Sequence, residues 1–171
     1  MEPTDVEMLL EQALGEFEER LAACKLQPVV TNYLTKKYGA QADCHVMADG
    51  RHLWRVFDNL VDDAKKGFPL IGNIIKYAQP NSRVYIDIDE AEPGEITVTF
   101  KNISKEPLNI SGDELKERFV RGDRSRNTEG NGLGLSIAQS LMELQNGKVE
   151  IMIDGDLFKV VLLLKTGNCK N

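Results

Sequence analysis

The chain has 171 residues, 42% of them hydrophobic and 28% charged, with a formal net charge of −6 at pH 7. That length suits one domain with a sizeable core and leaves little room for two, and the balance is that of an ordinary soluble globular protein. The acidic charge argues against a general nucleic-acid binder, while leaving room for a local basic pocket.

From the N-terminus, "TDVEMLLEQALGEFEERLAACKL" reads as an amphipathic helix. Thr4 and Glu7 have capping-box spacing, and Leu9, Leu10, Ala13, Leu14, Phe17 and Leu21 form an apolar stripe. "QPVVT" follows as a short strand, and the polar "NYLTKKYGAQADC" has no clear period. "HVMADG" ends at Asp49, an N-cap for a second helix starting near Arg51. There Leu53, Phe57, Leu60 and Ala64 share one face, and Arg55, Asn59, Asp63 and Lys66 share another. After a break at "GFP" comes the apolar "LIGNIIKYA". Two alternating strands, "SRVYIDID" and "EITVTF", are joined by the turn-forming "EAEPGE". "SGDELKERF" reads as a short helix with a Ser111/Glu114 capping box. "LGLSIAQSLMELQ" is a third long helix, stopped at Asn146-Gly147. "KVEIMI", the turn "DGD" and "LFKVVLLL" close the chain as a hairpin, followed by a tail from residue 164 that is expected to fray. The elements imply an α+β fold, a two-layer sandwich with helices on one face of a mostly antiparallel sheet.

No apolar run approaches the roughly 18 residues that a membrane span needs, and the acidic N-terminus does not read as a signal peptide. Cys24, Cys44 and Cys169 form no CxxC pair, so they read as buried or incidental thiols of a reducing compartment.

The chemistry concentrates in "RFVRGDRSRNTEGNGLGLSIAQS". Gly130, Gly132 and Gly134, with Leu133 between them, let the backbone approach a ligand closely. Successive N–H groups at a helix N-terminus can then cradle phosphate. Ahead of them, Phe119 is an apolar anchor, and Arg121, Arg124 and Arg126 carry guanidinium forks suited to phosphate oxygens. That segment reads as a lid that orders over bound nucleotide. On the second helix, oxygens of Asn59 and Asp63 can hold Mg2+ directly or through water, while Lys66 reaches phosphate. The bland alternatives are a glycine turn that merely opens a helix, a solvated loop, and an ordinary wet helix face. The three segments together favour a nucleotide site.

The set "DNLVDDAKK" or "GNIIKYA", then "RFVRGDRSR", then "GNGLGLSI" resembles the catalytic ATP-binding domain of bacterial sensor histidine kinases, over nearly the whole chain. That domain has the Bergerat fold and shares a superfamily with gyrase, the heat-shock chaperone ATPase and mismatch-repair ATPases. The resemblance implies ATP and Mg2+ as ligands, with Asn59 ligating the metal. It implies Phe119 at the first edge of the lid, and Gly130, Gly132 and Gly134 at the phosphates. Asn102, in "FKNISKEP" after a strand, matches the aspartate that accepts from the adenine amino group; an uncharged amide oxygen does so more weakly. The family's Asn-Leu-x-x-Asn-Ala-x-Lys-Tyr helix occurs here in two pieces. One supplies Asn59, Asp63 and Lys66; the other supplies Asn73, Lys76 and Tyr77, with Asn73 fourteen residues after Asn59. Gly67, Pro69 and Gly72 prevent the two from forming one straight helix. The shared polar face favours the first piece as the nucleotide-facing one.

Three readings compete: a kinase domain that donates the ATP γ-phosphate, a stand-alone ATPase, and a nucleotide-binding module without catalysis. Superfamily ATPases carry a water-activating glutamate four residues before the metal asparagine, and Arg55 stands there. His45 and His52 lack the setting of a phosphoacceptor and read as structural or surface residues. The resemblance therefore implies a kinase domain with no complete catalytic set in this chain. Its partners are a separate dimerisation and phosphoacceptor domain and a downstream response regulator, not nucleic acid. The isolated domain is expected to be monomeric and cytoplasmic, even where its parent kinase is membrane-anchored.

Overall fold

A strand too short to leave a pattern opens the chain. In the computed structural model, which describes residues 1–61, 78–105 and 133–167, β1 (Glu2–Asp5) precedes α1 (Val6–Ala23). The expected Thr4–Glu7 capping box does not form. Thr4 is held in β1, its hydroxyl 3.3 Å from the Ala48 carbonyl that accepts from it. Asp5 caps the helix instead, accepting from the Met8 N–H at 3.1 Å. Leu10, Ala13, Phe17 and Leu21 are buried along α1, with Leu9 and Leu14 half-buried beside them.

β2 (Leu26–Asn32) leads into α2 (Tyr33–Tyr38), a helix that the polar composition of this stretch concealed. Asn32 caps it, accepting from the Thr35 N–H at 3.1 Å, and Leu34 is its buried residue. β3 (His45–Ala48) pairs antiparallel with β1, and α3 (Gly50–Val61) follows. Asp49 caps α3 as expected, its Oδ1 accepting from the N–H groups of Arg51 at 2.9 Å and His52 at 3.3 Å.

β4 (Ser82–Glu92) and β5 (Glu95–Ile103) are longer than their apolar alternation suggests. α4 (Leu133–Glu143) ends where Asn146 takes a left-handed φ of 58°. At the next residue, Gly147, a Cβ would lie 2.8 Å from the Leu163 carbonyl oxygen, so a side chain there would collide with backbone. β6 (Lys148–Asp154) and β7 (Leu157–Lys165) form the closing hairpin. Leu164 is buried in β7, which runs on to Lys165, so residue 164 belongs to a strand and not to the frayed tail expected there.

The five-stranded sheet has the order β2-β4-β5-β7-β6, with β2 and β4 parallel and the remaining neighbours antiparallel. Val84, Ile86 and Ile88 of β4, Ile96, Val98 and Phe100 of β5, and Val160 and Leu162 of β7 project to one face. They share a single core with the buried faces of α1, α3 and α4. The result is the expected two-layer α/β sandwich. No helix among the described residues is long and apolar enough to cross a membrane.

Candidate functional site

Three elements end at the same side of the sandwich, and their directions follow from two anchors. Gln145, just past α4 and 2% exposed, accepts from the Asp49 N–H at 2.9 Å and donates to the Leu141 carbonyl at 2.8 Å. This clamp sets the start of α3 beside the end of α4. The two helices pack together antiparallel, so the Asn59 end of α3 lies towards the N-terminus of α4 at Leu133 and Gly134.

The second anchor orients both helices on the sheet. β3, which feeds α3, touches β7, and a Cβ on Gly167 would lie 3.1 Å from Met47 Sδ. The start of α3 therefore lies at the end of β7, where Lys165 is in register with Glu95. Farther along, the Phe57 ring of α3 meets Phe100 of β5 with centroids 6.0 Å apart. Both α3 and β5 then run towards the side where β5 ends in Asn102 and Ile103. Ala78 forms an isolated bridge with Ser104 there, and the Gln79 N–H donates to the Ile103 carbonyl at 2.7 Å.

Asn59 is half-buried near the end of α3. Its Nδ2 donates to the Arg55 carbonyl at 2.7 Å, one helical turn back. That bond engages the amide nitrogen, and among the described residues no bond to the oxygen, the hard donor that Mg2+ takes, competes with a cation. The donor chemistry at this position thus fits the metal. Among the described residues no group of three or more His, Cys, Asp and Glu side chains could hold a metal by itself. Arg55, where a water-activating carboxylate would stand, is exposed.

Asn102 corrects one expectation. It lies within β5 and not after a strand, its Cα in register with Phe158 of β7. The inward alternation Ile96, Val98, Phe100 simply continues to it, and the residue is 3% exposed. Its Oδ1 is buried and has no hydrogen-bond partner among the described residues. Among the described residues its Nδ2 makes only a long contact, 3.5 Å, with the Ile103 carbonyl. An acceptor left open in this way costs free energy, typically about 1–3 kcal/mol, unless something supplies a donor.

Leu133 and Gly134 open α4, so the backbone of the glycine segment does enter a helix of eleven residues. Asp63, Lys66, Asn73, Lys76, Tyr77, Phe119, Arg121, Arg124, Gly130 and Gly132 lie outside the described residues. The sequence reading missed the Gln145 clamp and the Ala78–Ser104 bridge. Gln145, placed between a helix and its Asn-Gly stop, has the polar, terminal position from which a side chain can reach back to a neighbouring helix.

Neither histidine is part of this end, and nor is Cys44. His45 Nδ1 lies 2.8 Å from Asp43, whose carboxyl is held below its usual pKa by the His45 backbone N–H and then by the ring. His52 belongs to the first turn of α3, at the opposite end from Asn59. Burial raises the pKa of the Cys44 thiol, which keeps it protonated and unreactive.

The relatives agree with this architecture. Residues 48–166 match the family described as histidine kinase-, DNA gyrase B- and HSP90-like ATPase. The signal transduction histidine-protein kinase BaeS of Escherichia coli strain K12 is 30% identical over 155 residues, which cover 86% of this chain and 28% of that protein. The chain thus spans little more than a quarter of that relative. Among solved structures, the catalytic domain of histidine kinase ThkA superposes with a TM-score of 0.72 at 22% identity, covering 97% of each chain. ThkA in complex with the response regulator protein TrrA superposes with a TM-score of 0.70 at 18% identity, covering 99% of this chain and 43% of that one. The chain belongs to the histidine kinase-, DNA gyrase B- and HSP90-like ATPase family.

Proposed function

We propose that the chain is the ATP–Mg2+-binding catalytic domain of a two-component sensor histidine kinase. The observation that carries this reading is the convergence of Asn59, Asn102 and the N-terminus of α4 at one end of the sandwich. There an amide oxygen can meet a metal, a buried acceptor can meet a base, and helix N–H groups can meet phosphate. α4 contributes the backbone N–H groups of its first turn, with Gly130, Gly132 and Gly134 allowing close approach. Phe119, Arg121 and Arg124 close over the nucleotide. Mg2+ held by the Asn59 oxygen would neutralise charge between the phosphates.

The reaction is an in-line displacement. A nitrogen of a histidine on a separate dimerisation domain attacks the γ-phosphorus, a P–N bond forms, and the bridging P–O bond to the β-phosphate breaks to release ADP. This domain's part is positioning and charge stabilisation, so it needs no base for water. Arg55 fits that division, because a guanidinium cannot activate water. The complex of ThkA with a response regulator supports such a protein as the downstream partner.

Titration calorimetry with ATP, with and without Mg2+, tests the reading. Binding in the micromolar to millimolar range is expected, dependent on Mg2+ and reduced at least tenfold by Asn59→Ala. Binding indifferent to both the metal and Asn59 would refute the placement of the site. Steady phosphate release that disappears in Asn59→Ala would favour a stand-alone ATPase.

A further inference from the structure

Asn102 sits in a position whose chemistry differs from that of a carboxylate in a way the buried geometry makes consequential. The residue is 3% exposed, and among the described residues its Oδ1 lacks a partner and its Nδ2 is held only by the 3.5 Å contact to the Ile103 carbonyl. That carbonyl already accepts a much shorter bond, 2.7 Å, from the Gln79 N–H. Among the described residues neither end of the amide is therefore fixed, and the terminal torsion of an asparagine is broad and roughly two-fold. Turning the amide over costs one weak contact.

A carboxylate at this position could only accept. It would welcome the amino group of a 6-aminopurine and repel the carbonyl oxygen of a 6-oxopurine. An amide presents a donor and an acceptor side by side. In one orientation its oxygen accepts from the 6-amino group and its nitrogen donates to the ring N1. Turned over, its nitrogen donates to a 6-oxo oxygen and its oxygen accepts from the protonated N1. Each orientation satisfies the buried acceptor.

We infer that Asn102 lets the base subsite take 6-oxopurine nucleotides as well as 6-aminopurine nucleotides. This rests on the ATP-binding reading above and concerns which purines that same site accepts. A site that hydrogen-bonds a polar group rejects a mismatched analogue by factors of roughly 10⁴–10⁵ where its own groups are left unpaired. The flippable amide removes most of that penalty.

The test compares Mg-ATP with Mg-ITP, which differs in its 6-oxo group and protonated N1 and lacks the 2-amino group of guanine. Direct binding is measured by calorimetry for the wild type and for Asn102→Asp, whose folding is checked by thermal melting. Wild-type affinities within about thirtyfold of each other are expected, since the flip costs little more than one weak hydrogen bond. Asn102→Asp should widen the preference for ATP at least tenfold further. Should that variant not fold, the wild-type ratio decides alone. ATP bound with ITP more than about thirtyfold weaker, or a folded Asn102→Asp with an unchanged ratio, overturns the inference and leaves the ATP site standing. Failure of the wild type to bind either nucleotide overturns the reading of the site and this inference with it.

Discussion

At the Glu95 end of β5 the polar groups close on one another. Lys165 pairs with Glu95, and the Thr166 N–H donates to the Gly94 carbonyl at 2.9 Å. Gln145 clamps α4 to α3, and Asp49 caps the first turn. At the Asn102 end the same strand leaves a buried amide oxygen without a partner among the described residues, and the bond Asn59 makes there uses its nitrogen. The helices α3 and α4 contribute to both ends, giving a capped start and a clamped finish to one, and the Asn59 end of α3 and the N-terminus of α4 to the other. Among the described residues one end is closed by its own polar groups and the other is left open, with acceptors that the proposed nucleotide would engage.

The contrast can be broken at several points. The largest effect is expected at the glycines of the open end. Replacing Gly132 and Gly134 together by Val should reduce ATP affinity by about a hundredfold or more, because β-branched side chains would keep phosphate from the backbone N–H groups. The melting temperature should change far less than for a core substitution. Undiminished ATP binding in a well-folded double variant would remove the glycine segment from the site.

A smaller effect distinguishes the two halves of the divided asparagine motif. A charge-assisted phosphate contact is worth about 1.5–3 kcal/mol, so loss of the correct lysine should weaken ATP roughly tenfold or more. The shared polar face of residues 55–66 favours Lys66. The bridge from Ala78 to Ser104 favours Lys76, because it sets the residue that follows that half of the motif beside the Asn102 strand end. Lys66→Ala and Lys76→Ala, compared at one salt and Mg2+ concentration, decide between them. Equal, negligible losses would deny both a place at the phosphates.

The smallest effect belongs to the closed end. Asp49→Ala removes the cap of α3 and should lower the melting temperature by roughly 2–4 °C while leaving ATP affinity unchanged. The cap also has a pH signature. Burial works against the charge on Asp49, but the backbone N–H groups of His52 and Arg51, with their nearby positive charges, outweigh it and hold the carboxyl below its usual pKa. A depressed folded-state pKa contributes stability that is complete above the unfolded value and is lost as pH falls through the folded one. The melting temperatures of wild type and Asp49→Asn should therefore converge in acid. A difference that persists there would mean that Asp49 acts through something other than its charge.

Much of the scaffold was legible because long elements carry their own period. The stripe Leu10, Ala13, Phe17 and Leu21 and the closing hairpin needed no partner to be recognised. β1 and α2 were not legible. β1 is four residues without apolar alternation, held by long-range pairing with β3, and α2 buries only Leu34. At the candidate site, residue type and spacing singled out Asn59 and the glycines, of which Asn59 and Gly134 lie among the described residues. The depth of Asn102 was not, although its inward position follows from counting by twos from Ile96 through Val98 and Phe100. An amide at the fourth inward place of an apolar strand is the signal that a polar group has been buried for a reason.

The central claim is that the open end receives a nucleotide. Heteronuclear NMR of the protein during titration with ATP and Mg2+ tests it most directly, by following the Asn102 side-chain amide beside the Gly94 and Thr166 backbone amides of the closed end. The account predicts saturable shifts of the Asn102 side chain and of the Leu133 and Gly134 amides at the N-terminus of α4, with Gly94 and Thr166 unmoved. Saturable shifts at Gly94 and Thr166, with Asn102 and α4 unchanged, would contradict it.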